Sequence, residues 1–171
     1  MATFVSANYT SEDVLAGRVD NVDIFRDQLD GWLISQADRL RDDDKASVAI
    51  LNLVTPYFEA IASYLKGKES RSNSGKFLKF GLREVFPGTN HKALDAFAKE
   101  IRNGLFHEAV IQKVALHHGG ALPALGFAPV DGEEQLVVDP WFVLGGVKAH
   151  LARYVERLRD QPRGSAAAEQ L

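Results

Sequence analysis

Cysteine is absent from these 171 residues. Its absence excludes disulfides, thiolate nucleophiles and cysteine-ligated zinc. Long hydrophobic runs are also missing, since no window approaches the ~18 uninterrupted apolar residues that a membrane-spanning helix requires. The opening residues, Met1-Ala2-Thr3-Phe4-Val5-Ser6-Ala7-Asn8, have neither the basic start nor the apolar run of a secretion signal. A cytoplasmic protein with no membrane association is therefore expected. An overall excess of positive charge is lacking too. The net charge of −3 does not suggest a general nucleic-acid binder. What is present is ordinary for a globular protein, with 46% hydrophobic and 25% charged residues. The length suits one domain with a real core and is short for two.

The charge is unevenly spread. Residues 64–102 hold nine basic side chains and four acidic ones, a local balance of +5 that leaves −8 for the remainder. A basic segment in an acidic chain is the footprint of a docking polyanion, or else a solvated helix face.

Apolar spacing outlines a mainly α, single helical bundle of about five helices with a small β-hairpin before the last helix. After a short helical turn beginning at Ser11-Glu12-Asp13, Val22, Phe25, Leu29, Trp32, Leu33, Ala37 and Leu40 recur at helical spacing over residues 21–41. Asp42, Asp43 and Asp44 are expected to cap the next helix, 45–65. That helix is apolar on most faces, with Val48, Leu51, Val54, Phe58, Ile61 and Leu65 as its most regular stripe, and so belongs mid-bundle. Pro56 is expected to kink it. Gly67-Lys68-Glu69-Ser70 has a superficial likeness to a phosphate loop, but the earlier glycine and the preceding strand are missing.

Residues 76–86 read as a short helix with Lys76, Lys79 and Arg83 on one face, stopped by Pro87-Gly88. A helix capped by Thr89 or Asn90 follows, with Leu94, Phe97, Ile101 and Leu105 buried. Val110–Leu116 is β-branched and alternating, and the runs 124–130 and 135–138 around Asp131-Gly132 read as a hairpin. Asp139-Pro140 caps a final helix with Leu144, Val147, Leu151, Tyr154 and Leu158 as its stripe. Residues 1–161 are thus expected to form one domain, and 162–171 a disordered tail. No internal repeat is visible.

Chemistry is concentrated in Arg102-Asn103-Gly104-Leu105-Phe106-His107. On a helix Asn103 and His107 are four apart and share a face, and the long Arg102 side chain can reach it. A guanidinium presents a planar fork of donors that matches phosphate oxygens. Imidazole titrates near neutrality and can act as general acid or base. An amide can donate to an oxygen or fix the imidazole tautomer. Against RNA, whose 2′-hydroxyl is a built-in nucleophile, these three groups need no metal and no cofactor. Lys76, Lys79, Arg83 and Lys99 are the candidate substrate-binding basic face. The other histidines read as surface or satisfied core residues: His117 and His118 point to opposite faces of an expected strand, and His91 and His150 lack carboxylates at ligand spacing.

Arg102-Asn103-x-x-x-His107 resembles the Arg-x4–6-His motif of the HEPN superfamily, including the polar residue after the arginine. The segments Thr55-Pro56-Tyr57-Phe58-Glu59-Ala60-Ile61, Phe80-Gly81-Leu82 and Gly104-Leu105-Phe106-His107 are similar to one group of bacterial HEPN-like proteins. The likeness is specific at the motif and loose over the rest of roughly residues 20–160. It implies an α-helical bundle that acts as a metal-independent endoribonuclease, of the kind found in toxin–antitoxin and anti-phage systems, with an antitoxin or other protein as partner. It implies a homodimer in which two motifs meet in one cleft. Arg102 would stabilise the phosphorane-like transition state, His107 would handle the proton and Asn103 would assist. The products would be a 2′,3′-cyclic phosphate and a 5′-hydroxyl. Two other readings stay open. One is a non-catalytic HEPN-like domain binding nucleotide, RNA or a protein partner, and the other is a bundle in which Arg102 and His107 merely cap or pair.

Overall fold

A computed structural model describes residues 3–104 and 113–160. Leu105, His107 and the tail at 162–171 lie outside the described residues. The helices are α1 (Ser11–Leu15), α2 (Asn21–Leu29), α3 (Ser35–Asp38), α4 (Ser47–Lys66), α5 (Ser74–Val85), α6 (His91–Asn103) and α7 (Pro140–Arg159). Strands β1 (Val114–Leu116), β2 (Leu125–Val130) and β3 (Glu133–Val138) lie between α6 and α7. The chain is mainly helical, with a small sheet before its last helix.

α4 is the central element. It packs on α5 and α7, while α5 packs on α6, α2 on α7, and the sheet on α6. Its apolar character on most faces follows from this enclosure, with Ile50, Leu51, Val54, Tyr57, Phe58, Ile61 and Ala62 all fully buried. Val48, on the expected stripe, is instead 41% exposed, and Ile50 takes the buried position in the first turn. The helix runs unbroken through Pro56. The expected acidic cap is not found: Ala46 occupies the cap position before Ser47 and offers no side-chain acceptor, and Asp43 accepts from the Lys45 N–H instead.

α4 and α5 touch through backbone. A Cβ placed on Gly81 would sit 1.9 Å from the Phe58 carbonyl oxygen. Only glycine permits this approach, and Phe58 then packs edge-on against Phe97 of α6, with centroids 6.0 Å apart.

The single helix expected over 21–41 is present as an uninterrupted helical run over residues 21–38, with a π-helical turn within it. α2 passes through a π-helical turn, Asp30–Ile34, before α3 ends at Asp38. The N-terminal segment lies over this turn, where a Cβ on Gly31 would be 2.3 Å from the Ala7 Cβ. Asp27 ties the segment down, accepting from the Ser6 hydroxyl at 2.6 Å and from both the backbone and the side chain of Asn8. Burial alone would raise the Asp27 pKa, but these bonds outweigh it and the carboxyl lies below its usual range.

The expected hairpin is present as β2 and β3, turning at Asp131-Gly132 where both residues take positive φ. It forms part of a three-stranded mixed sheet, because β1 pairs parallel with β3 in the order β1-β3-β2. Asp139 joins sheet to helix: one carboxylate oxygen accepts from the Trp141 and Phe142 N–H groups and the other from Gly119. The α7 stripe expected from the sequence, Leu144, Val147, Leu151, Tyr154 and Leu158, is buried throughout.

Candidate functional site

α6 delivers Arg102. Asn90 caps the helix through the Lys92 N–H at 2.8 Å, and Ala93, Leu94, Phe97 and Ile101 seat its apolar face in the core. Packing on that face fixes the helix rotation, so Arg102 emerges half-buried at a set position. There it lines a cleft of about 310 Å³ with Thr55, Pro56, Glu59, Ser63, Ser70 and Leu78.

A polar chain runs through the cleft. Arg102 Nη2 donates to Ser74 Oγ at 2.8 Å, and the Ser74 hydroxyl donates to Glu59 Oε2 at 2.7 Å. The other carboxylate oxygen, Oε1, accepts from the Ser70 hydroxyl. Three elements meet here: Glu59 comes from mid-α4, Ser70 from the segment after it and Ser74 from the first position of α5. The carboxylate therefore anchors the 67–74 segment at two points and, through Ser74, orients the guanidinium. A guanidinium held in this way is pre-aligned for an oxyanion, because little side-chain freedom is left to lose on binding. The arrangement can hold an anion at Arg102, with both serine protons committed to Glu59.

The motif's remaining members are not available in the same way. Asn103 ends α6, and His107 lies outside the described residues. Lys79 and Arg83 both pair with Asp95 of α6, at 3.4 and 3.2 Å, and Lys99 pairs with Glu100 at 3.1 Å. Lys76 lies elsewhere, in a groove with Phe77, Phe80 and Arg83. The four basic residues are thus not brought together at Arg102.

Glu59, Ser70 and Ser74 were not singled out from the sequence. One signal was there: Glu59 is the sole charged residue between Lys45 and Lys66, in a helix otherwise apolar on most faces. The serines carry no comparable signal, since a serine-rich loop is ordinary.

The expected strand does not reach His117 and His118, because β1 ends at Leu116. His150 is buried, with Nδ1 at 2.7 Å from the Tyr57 hydroxyl. Burial, and then the Arg153 and Arg157 charges, hold its pKa down to about 4, so the ring is neutral at physiological pH. Burial likewise raises the Tyr57 hydroxyl above its ordinary range. His117 bonds the Gly119 and Pro123 carbonyls, and His118 stacks near Trp141. Among the described residues no three His, Asp or Glu side chains are grouped as metal ligands.

No protein-family model, curated protein or solved structure matches this chain.

Proposed function

We propose that this chain is a metal-independent endoribonuclease. The observation that carries the reading is the oriented Arg102 guanidinium in an open cleft, five residues before His107 in the sequence. Arg102 binds the non-bridging oxygens of the scissile phosphate and stabilises the charge that grows on them. The 2′-oxygen attacks phosphorus, its proton passes to a general base, and the bond to the 5′-oxygen breaks as that oxygen is protonated. His107 is the proton-transfer group and Asn103 its assistant. The products are a 2′,3′-cyclic phosphate and a 5′-hydroxyl. As in the HEPN proteins that the motif resembles, two copies of the chain would bring their motifs into one cleft.

A second reading draws on Glu59. A carboxylate one serine away offsets part of the Arg102 charge, which suits a non-catalytic domain holding nucleotide, RNA or a protein partner as well as it suits a nuclease.

One experiment separates them. RNA is incubated in EDTA with the wild type and with His107→Ala, and the product ends are analysed. The nuclease reading expects cleavage to cyclic phosphate by the wild type and a loss of about 10²-fold or more in the variant, the usual scale of general acid–base catalysis. Equal cleavage by the two proteins, or none by either, rejects it. RNA binding that survives His107→Ala but is lost in Arg102→Ala, without turnover, supports the second reading.

A further inference from the structure

The Arg102 cleft does not end at Glu59. It adjoins a depression of about 540 Å³ lined by Ala60, Ser63, Tyr64, Gly67, Lys68 and Ser70, and the two share Ala60, Ser63 and Ser70. A third, of about 530 Å³, shares Lys68, Glu69 and Ser70 with the second and continues to Lys76, Phe80 and Arg83. All three have Ser70 in their linings, so the depressions adjoin one another around the 67–71 segment, from the Arg102 cleft to the start of α5.

The far end of this groove has its own electrostatics. Its lining holds five basic side chains, Lys66, Lys68, Arg71, Lys76 and Arg83, and one acid, Glu69. Arg83 is drawn to Asp95, and Arg71 pairs with Glu69 at 3.1 Å, but both members of that pair are about 80% exposed. Such a pair is worth little in water. Lys68 and Lys76 have no acidic partner among the described residues. Arg71 takes φ 42°, an uncommon conformation for a residue with a side chain. The groove also has an aromatic wall: Phe80 is half-buried, and the Lys66 ammonium stands 3.6 Å from its ring centroid.

We propose that this groove carries a single-stranded RNA segment flanking the phosphate held at Arg102, so that the chain grips several consecutive phosphates. The inference rests on the nuclease reading for the identity of the strand. Adjacency at Ser70 sets the groove beside the phosphate site, and the cations supply the charge that a phosphodiester backbone requires. Phe80 with Lys66 offers a surface on which a base can stack. A run of cations with an aromatic side chain in the same depression matches the repeating phosphate and base of a single strand, which favours the nucleic acid over an acidic polypeptide.

The test is fluorescence anisotropy with a labelled 2′-O-methyl oligouridylate of twelve nucleotides, which lacks the nucleophile and cannot be cleaved. Wild type is compared with the triple variant Lys68→Ala, Arg71→Ala, Lys76→Ala across a salt series. All three side chains are exposed, and an unchanged melting curve establishes that the variant is folded. The variant is expected to bind about tenfold more weakly. Its salt slope is expected to be flatter by about 2, because each phosphate that a single strand no longer has neutralised takes away roughly 0.7. A trinucleotide is expected to bind both proteins alike.

Unchanged affinity and slope in the variant, or no binding of the twelve-mer by the wild type, overturn the proposal. Polyglutamate that binds the groove more tightly than the RNA also overturns it, assigning the surface to an acidic protein. The two readings fail separately. Groove binding without cleavage of unmodified RNA in EDTA rejects the nuclease alone, whereas cleavage with an unchanged salt slope rejects the groove alone.

Discussion

Tyr57 and Glu59 are two residues apart on α4 and so point to nearly opposite sides of it. Tyr57 faces inward, and its hydroxyl meets His150 within a closed core where both are buried. Glu59 faces the cleft, where its carboxylate takes two serine hydroxyls and, through one of them, steadies Arg102. Both regions are polar insertions in a helix that is otherwise apolar, yet they differ in what is left over. The Tyr57–His150 pair closes on itself, each group buried and bonded to the other. The Glu59–Ser74–Arg102 chain ends at an open cleft, with a cation at its edge. A satisfied pair in a closed core contributes to stability and uniqueness, whereas a satisfied chain beside a cleft sets up a surface to meet something else. On the proposed reading, stability lies on one side of α4 and recognition on the other.

The largest effect is expected from a change that disturbs both sides together. In Gly81→Ala the new methyl meets the Phe58 backbone, which cannot rotate away as a side chain would, so α4 and α5 must separate. A loss of about 3 kcal/mol or more is expected, or a fall in Tm of roughly 10 °C for a chain of this size. Calorimetry on the variant is the check, and an unchanged Tm would contradict the backbone contact on which both regions depend.

Next comes the pH response of the closed side. His150 is held neutral in the fold with a pKa of about 4, while in the unfolded chain it takes up a proton near pH 6.5. Its contribution is therefore fully present above about pH 6.5 and lost as pH falls toward 4, with no further loss below that. The integrated effect is up to about 3 kcal/mol. Urea midpoints measured from pH 7 to 4.5 are expected to fall more steeply for the wild type than for His150→Gln. Parallel curves would show that the imidazole is not desolvated.

The smallest stability effects sharpen the contrast most directly. Tyr57→Phe leaves the His150 nitrogen without its partner and is expected to cost about 1–2 kcal/mol, with RNA affinity unchanged. Ser74→Ala removes the link between Glu59 and Arg102 at the cleft edge. It is expected to cost less than about 1 kcal/mol but to weaken RNA binding several-fold, because Arg102 loses its orientation. Measuring Kd and Tm for both variants tests the division, and loss of RNA binding in Tyr57→Phe would erase it.

Much of the helical framework was legible because amphipathic spacing and caps are local. Asp139-Pro140, Asn90 and the α7 stripe needed only neighbours within a few residues. The π-helical turn at 30–34 was not legible, because amphipathic spacing does not register one extra residue in a turn, nor that Ala7 would lie against Gly31. The parallel pairing of β1 with β3 was also hidden, since two short runs about twenty residues apart carry no sign of which neighbour each will take. At the site, Arg102 stood out by its residue type and spacing. Ser70 and Ser74 did not, and Lys79 and Arg83 gave no hint that Asp95 would engage them.

The sequence by itself determined the mainly helical character, the central place of α4, the caps of α6 and α7, and the arginine that the last turn of α6 presents. Those follow from side-chain periodicity and from hydrogen bonds between near neighbours. The tertiary structure alone decided that Glu59 reaches Arg102 through a serine, that two of the α5 cations are engaged by Asp95, and that a basic groove meets the arginine cleft at Ser70. Each of these depends on how closely and at what rotation α4, α5 and α6 pack. That is set by the whole core, with the Gly81–Phe58 contact at its centre, and no local pattern encodes it.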